Sequence, residues 1–168
     1  MDNIVTVYDN FISDDLHCNI VNEMCQESSF AWFLNRCIVN DLDVLDTKKI
    51  QFTHHFYRED TAWTDSEFKF LIDPILENIK PNQIFRIKAN LLPATDIIKR
   101  SRLHVDMDYN CKTAIFYVNS NNGYTFFEDS NKINSVANRL VMFNSTILHA
   151  GTTCTDSKCR VVINFNYS

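Results

Sequence analysis

The chain has 168 residues, 45% of them hydrophobic, which suffices for one buried core and falls short of two ordinary domains. Thirteen Phe, six Tyr and two Trp supply bulky core material, while only two Gly and three Pro argue against a disordered or low-complexity chain. The formal charge of -5 disfavours broad attraction to nucleic acid or anionic membrane and leaves room for a local basic site.

The opening MDNIVTVYDNF has neither a positive n-region nor a long apolar h-region, and no stretch approaches the roughly 20 apolar residues of a bilayer span. A soluble, cytoplasmic protein with no membrane partner is the expectation. Six Cys are accordingly expected as reduced thiols, several of them packed in the core. No CxxC pair occurs, and the polar TDSK between Cys154 and Cys159 speaks against structural zinc.

In chain order, residues 4–8 form a β-branched and aromatic run that predicts a strand. Ser13 then offers an N-cap, Asp14 and Asp15 an acidic first turn, and Leu16, Ile20, Val21 and Met24 one apolar face, so a helix is predicted to about Glu27. Between residues 49 and 57, Ile50, Phe52 and Phe56 alternate with Gln51, Thr53 and His55, the period of a half-buried strand. His54 and His55 are adjacent and so point to opposite faces, which assigns them structural roles. Thr64 and Glu67 make a capping box for a second helix with Phe68, Leu71, Ile72, Ile75 and Leu76 on its stripe, and Pro74 as a kink or break.

Beyond Pro81 the pattern becomes strand and turn, with strands expected at 83–92, 112–119, 124–128, 139–144 and 160–167. Such closely spaced strands favour an antiparallel sandwich or barrel over a parallel α/β sheet. The organisation expected is one domain, in which residues 1–80 support a β-rich core at 81–168.

His104 and Asp106 stand two apart, and in an extended segment residues i and i+2 project from one face, so both can ligate one ion. His149, following the strand at 139–144, is the third ligand candidate. Two imidazoles and one carboxylate form a facial triad, which leaves open positions on iron(II) for a bidentate ligand and dioxygen. Eleven positions on, Arg160 starts the terminal strand, sharing a face with Val162, Asn164 and Asn166. A guanidinium at the base of a pocket holds a carboxylate bidentately, as a dicarboxylate cosubstrate requires. Thr113, Ile115 and Tyr117 likewise share a face that lines the same cavity, and Asn164 and Asn90 are further candidates whose alternative is a buried structural amide. Lys99, Arg100 and Arg102 either guide an anionic substrate toward the site or form a solvated basic loop.

These elements resemble the iron(II)/2-oxoglutarate oxygenases, in particular their prolyl-hydroxylase-like branch, through HVD at 104–106, TAIFYVN at 113–119, GYTFF at 123–127, NRLVMF at 138–143, HAG at 149–151 and RVVINF at 160–165. The resemblance implies a mainly β fold with supporting helices, the double-stranded β-helix or jelly-roll. It implies metal ligation by His104, Asp106 and His149, and a grip on the distal carboxylate of 2-oxoglutarate by Tyr117 and Arg160. It also implies hydroxylation of a substrate C–H bond with dioxygen, release of succinate and carbon dioxide, and support by ascorbate. Two departures stand out: Asn122-Gly123 replaces the Gly-Gly pair common in that branch, and Arg160 stands where collagen-type members often carry Lys. The substrate stays open between a prolyl or other protein side chain and a nucleobase or free amino acid, beside a non-catalytic metal-binding jelly-roll. No motif reads out the oligomeric state.

Overall fold

Because strand β11 (Cys159–Tyr167) is covered on both sides, it organises the molecule. Its odd positions Val161, Ile163 and Phe165 pack against helices, and its even positions Arg160, Val162, Asn164 and Asn166 face the interior of the β-structure. The computed structural model describes residues 4–27, 29–35, 50–59, 62–63 and 66–168.

The remaining strands are β1 (Thr6–Tyr8), β2 (Phe33–Asn35), β3 (Gln51–Arg58), β4 (Ala62–Trp63), β5 (Ile84–Pro93), β6 (Lys112–Tyr117), β7 (Tyr124–Phe127), β8 (Lys132–Asn134), β9 (Arg139–Asn144) and β10 (His149–Gly151). One antiparallel sheet runs β1-β9-β6-β11-β5-β3-β2, with β4 paired to β3, and a smaller sheet runs β10-β7-β8. The architecture is the expected jelly-roll: a mainly β fold in which two facing sheets enclose a cavity and helices brace the outside of the larger one. Strand β3, from the first 80 residues, pairs with β5 inside that larger sheet, so the N-terminal part contributes to the β-core as well as to its support.

Two apolar clusters follow from this layering. On the outer face, Ile20, Met24, Leu71, Ile72 and Ile75 from the helices meet Ile87, Ala89, Phe116, Ile163 and Phe165 from the sheet. Between the sheets, Ile115, Tyr117, Phe127, Val141, Phe143 and Val162 form a second cluster, of which Ile115 and Val162 also line the cavity. Covering both faces explains why β11 reads as almost continuously buried rather than alternating.

Helix α1 (Asp14–Val21) begins where the sequence places it, with Asp14 and Asp15 in its first turn, and continues through a π-helical turn at Asn22–Gln26. Ser13 occupies the N-cap with extended backbone, yet its hydroxyl makes no capping bond. The second predicted helix is two: a 3-10 turn at Glu67–Leu71 and α2 (Asp73–Ile79). Pro74 sits in the first turn of α2 and thus starts a helix, since the missing N–H has no intrahelical partner there. Thr64 of the proposed capping box lies outside the described residues; Ser66 caps the 3-10 turn, its hydroxyl accepting from Phe68 N at 3.3 Å. Five described cysteines are unpaired, Cys111 and Cys154 buried, Cys18 and Cys25 exposed. Among the described residues no helix is long and apolar enough to cross a membrane.

His54 and His55 lie on opposite faces, as strand geometry requires. His54 is buried against Phe30, Phe56 and Phe68, bonded to Ala31 O and Ser66 Oγ at 2.8 Å each. Burial lowers its pKa, and burial together with Lys88, Arg58 and Arg86 lowers that of His55 to about 4. An imidazole with a depressed folded pKa lets the unfolded chain bind the proton first, so stability is present above the ordinary value and is lost as pH falls from about 6.5 toward 4. The urea midpoint is therefore expected to drop between pH 7 and pH 5, with His55 contributing on the order of 1–2 kcal/mol after solvent screening. His55→Asn should flatten that pH response, and an identical slope in the variant would remove His55 as its source.

Candidate active site

An antiparallel bridge brings the two histidines together. The His104 and His149 backbones exchange N–H···O bonds of 3.0 Å in both directions, and their ring centroids lie 4.8 Å apart. Asp106 is drawn in next to them by its own N–H, which donates to Ser145 O at 3.1 Å. Its carboxylate lies 4.0 Å from His104 Nε2 and 3.8 Å from His149 Nε2, and ligand atoms of all three residues fall within 4.8 Å of one another. Metal–ligand bonds of about 2.0–2.2 Å at roughly right angles hold facial donors about 3 Å apart, so the three side chains would close by about 1–2 Å to share a single ion.

The donor set is prepared for a metal. His104 Nδ1 bonds Arg102 O at 3.2 Å and His149 Nδ1 bonds Ile147 O at 3.0 Å, which assigns the ring proton to Nδ1 and leaves each Nε2 lone pair toward the triad centre. Asp106 accepts from Arg86 Nη2 at 2.9 Å on one oxygen, and from Thr113 Oγ1 at 3.0 Å and Asn166 Nδ2 at 3.2 Å on the other. Burial alone raises a carboxyl pKa; here Arg86, the histidines and Asn166 overcome it, and Asp106 stays below its ordinary value. Burial pushes the His149 imidazole below its usual value despite the attraction of Asp106, which keeps it neutral and able to ligate.

The triad opens into a cavity of about 390 Å³ whose wall includes Arg160, Thr125, Gly151, Leu92 and Val162 at one end and Arg86, Lys88 and Asn164 at the other. Arg160 is 3% exposed, and no described carboxylate pairs with it. Instead its Nε donates to Ser135 Oγ at 2.7 Å and its Nη2 to Thr125 Oγ1 at 3.0 Å. Tyr117 OH donates to the same Thr125 oxygen at 2.7 Å, and its ring lies under the guanidinium at 5.5 Å. Both glycines of the chain press on this arginine: a Cβ at Gly151 would stand 3.0 Å from Nη1, and one at Gly123 would meet Arg160 Cδ at 2.8 Å and Thr153 O at 2.9 Å. The Asn122-Gly123 departure thus keeps the glycine that the arginine needs, while the Asn122 side chain ties down the neighbouring loop through Thr155 Oγ1 at 2.7 Å.

Of the residues expected from sequence, His104, Asp106, His149, Arg160, Asn90 and Asn164 reach the cavity wall. Tyr117 and Thr113 stand behind it, the first against Thr125 and the second against Asp106. Asn90 is engaged by Gln51 Nε2 at 3.0 Å, whereas Asn164 Oδ1 is buried without a partner. Lys99, Arg100 and Arg102 lie outside the wall, and Arg100 lies over the rings of Tyr124 and Phe126. The sequence reading missed Arg86, Thr125, Ser135, Gln51, Lys88 and Asn166. Strand parity was available for Arg86 and Lys88, which share a face with Asn90 and Leu92, and for Asn166, already on the face of Arg160. Nothing local marks Thr125 or Ser135.

His104→Ala or His149→Ala is expected to abolish stoichiometric binding of a divalent metal by calorimetry, and tight binding in both variants would sink the triad. Manganese, cobalt, nickel and iron(II) should all bind, as mixed imidazole and carboxylate ligation allows. Gly151→Ala should leave the metal site intact and shift the Arg160 guanidinium, weakening binding of a dicarboxylate by about 1 kcal/mol.

No family model matches the chain, and none of the curated proteins does. Solved structures do. A prolyl hydroxylase from Trichoplax adhaerens, in complex with a peptide fragment of the hypoxia inducible factor oxygen degradation domain, superposes with a TM-score of 0.68 at 12% identity over 98% of this chain and 83% of its own. The viral collagen prolyl hydroxylase of Paramecium Bursaria Chlorella virus-1, a 2-oxoglutarate complex, gives 0.65 at 13% identity over 96% and 94%. A Pseudomonas putida prolyl-4-hydroxylase gives 0.59 at 13% identity over 98% and 92%. Across nearly its whole length, this chain has the jelly-roll fold of these prolyl hydroxylases.

Proposed function

We propose that the chain is an iron(II)- and 2-oxoglutarate-dependent dioxygenase that hydroxylates a C–H bond of a prolyl or other protein side chain. The observation that carries this reading is a buried guanidinium with no described carboxylate to neutralise it, in the same cavity as a His-Asp-His triad. Burying an uncompensated charge costs several kcal/mol, a cost that a dicarboxylate ligand removes when it binds. The likeness in fold to prolyl hydroxylases, one of them in complex with a peptide, supports the substrate class.

When bound, iron(II) and 2-oxoglutarate supply the oxidative chemistry: dioxygen, cosubstrate and R–H give R–OH, succinate and carbon dioxide. The chain's residues prepare for it. His104 and His149 present bare Nε2 atoms, and Asp106 stays ionised as the third ligand. Arg160 receives the distal carboxylate, with Tyr117 orienting Thr125 toward the same group. Leu92 and Val162 beside Arg160, and Ile115 nearer the triad, give the wall apolar surface that excludes water. Thr113 and Asn166 hold the carboxylate of Asp106 in place.

Arg160→Ala should weaken 2-oxoglutarate binding by about 2 to 4 kcal/mol while leaving iron affinity nearly intact, the usual result of truncating a buried charged group. Tyr117→Phe should cost about 1 kcal/mol, the scale of one hydrogen bond. Aerobic incubation with iron(II), 2-oxoglutarate and ascorbate should accumulate succinate even without the substrate. It should not do so without oxygen or in Asp106→Ala. Wild type yielding no more succinate than Asp106→Ala, across peptides, nucleotides and amino acids, would favour a non-catalytic metal-binding jelly-roll.

A further inference from the structure

The cavity floor is a lattice of cross-strand rows from β3, β5, β11 and β6. Thr53, Asn90, Val162 and Tyr117 form one row; His55, Lys88, Asn164 and Ile115 the next; Arg86, Asn166 and Thr113 the third. Neighbouring rows lie two residues, or about 6.6 Å, apart. The third row holds Asp106, and Arg160 stands two rows beyond Lys88 on the opposite side, about 13 Å away along the strands. Lys88 and Asn164 therefore sit beside the metal position and away from the cosubstrate pole.

On an acidic protein of net charge -5, this cavity is cationic: Arg86, Lys88 and Arg160 face the single carboxylate of Asp106, three cations against one anion, a surplus of two. Two of the cations have assignments. Arg86 bonds Asp106 and, at 2.9 Å, Asn166 Oδ1, and Arg160 is the cosubstrate anchor. Lys88 has none, its Nζ bonding no described residue. Burial, reinforced by Arg86 and opposed by Asp106, brings the ammonium down to about 8, so it is still mostly charged at neutral pH, and among the described residues no carboxylate pairs with it directly. Across the strand pair, the Asn164 amide bonds no described residue either, and its Oδ1 is buried. A charge and an amide left unsatisfied side by side mark a place where a ligand completes the bonding.

Resting on the oxygenase reading above, we propose that Lys88 and Asn164 select the substrate, and that the molecule oxidised carries a carboxylate held by Lys88 Nζ and a hydrogen-bond donor facing Asn164 Oδ1. The cavity, about 390 Å³ in all and shared with ion and cosubstrate, admits a free amino acid or a single acidic side chain of a peptide. A neutral proline ring offers Lys88 no anion.

The test is calorimetry on the anaerobic iron(II)·2-oxoglutarate complex of the full chain. Its probes are the free L-amino acids against their amides, and capped peptides bearing Asp or Glu against their Asn or Gln counterparts. At least one acid should bind tenfold or more tightly than its amide; Lys88→Gln should reduce that preference to within twofold, and Lys88→Arg should retain most of it. Preference among the amino acids assigns the carboxylate to a free acid, and preference among the peptides assigns it to an acidic side chain. Equal binding of acids and amides, no binding of any acid, or full preference in Lys88→Gln overturns the proposal. So does a tenfold loss of 2-oxoglutarate affinity in Lys88→Gln, which would make Lys88 a cosubstrate anchor. A wild type that takes up neither iron(II) nor 2-oxoglutarate fails the oxygenase reading itself; one that takes up both without preferring acids fails only this inference.

Discussion

The two-residue period of a strand buried on both faces is the constraint on which the site depends. In β11 it sends Val161, Ile163 and Phe165 into the helical layer, and Arg160, Val162, Asn164 and Asn166 into the cavity, with no position left for solvent. A slip of one residue would bury Arg160 among the helices and turn Ile163 toward the metal ligands. The outer apolar cluster therefore holds the register that positions the inner polar face. Strands β5 and β6, paired to either side of β11, inherit the same parity, so Lys88, Asn90, Thr113 and Ile115 follow from one register.

Inside that frame, electrostatics divide the cavity into poles. Asp106 is surrounded by donors that keep it ionised and fixed in orientation, and the two imidazoles beside it are tethered through Nδ1, so the three ligands need little rearrangement to meet one ion. At the other end, hydroxyls rather than carboxylates surround Arg160. Hydroxyls orient a guanidinium without neutralising it, which preserves its charge for an anion arriving from outside. The two glycines serve this same end, since a Cβ at either would displace the arginine.

At 12–13% identity to structures of the same fold, what is shared is the scaffold. Alternation between an apolar outer face and a mixed inner face can be met by many sequences. On the reading proposed above, only the inner positions that would touch metal or cosubstrate require particular residue types. Lys88 and Asn164 occupy inner positions on the same scaffold, where their polarity must answer to something in the cavity.

The sequence by itself determined the candidate ligand types, their i, i+2 spacing at His104 and Asp106, the face shared by Arg160 and Asn164, and the five longer strands from residue 84 onward, because these depend on local period and side-chain chemistry. It also separated His54 from His55. A kink or break at Pro74 was legible in the second helix, but its place at Ile72, ahead of the proline, was not, since Pro74 suits a helix start as well as a kink. Short β10 and β8 escaped as well, being defined by pairing across the small sheet rather than by any run of β-formers. Tertiary structure alone decided which groups meet. Arg86 reaches Asp106 across 20 residues, Arg160 meets Thr125 and Ser135 from 35 and 25 residues away, and the His104–His149 bridge closes over β6, β7, β8 and β9. Such contacts follow from strand order and sheet closure, which depend on the packing of the entire chain rather than on any local pattern of residues.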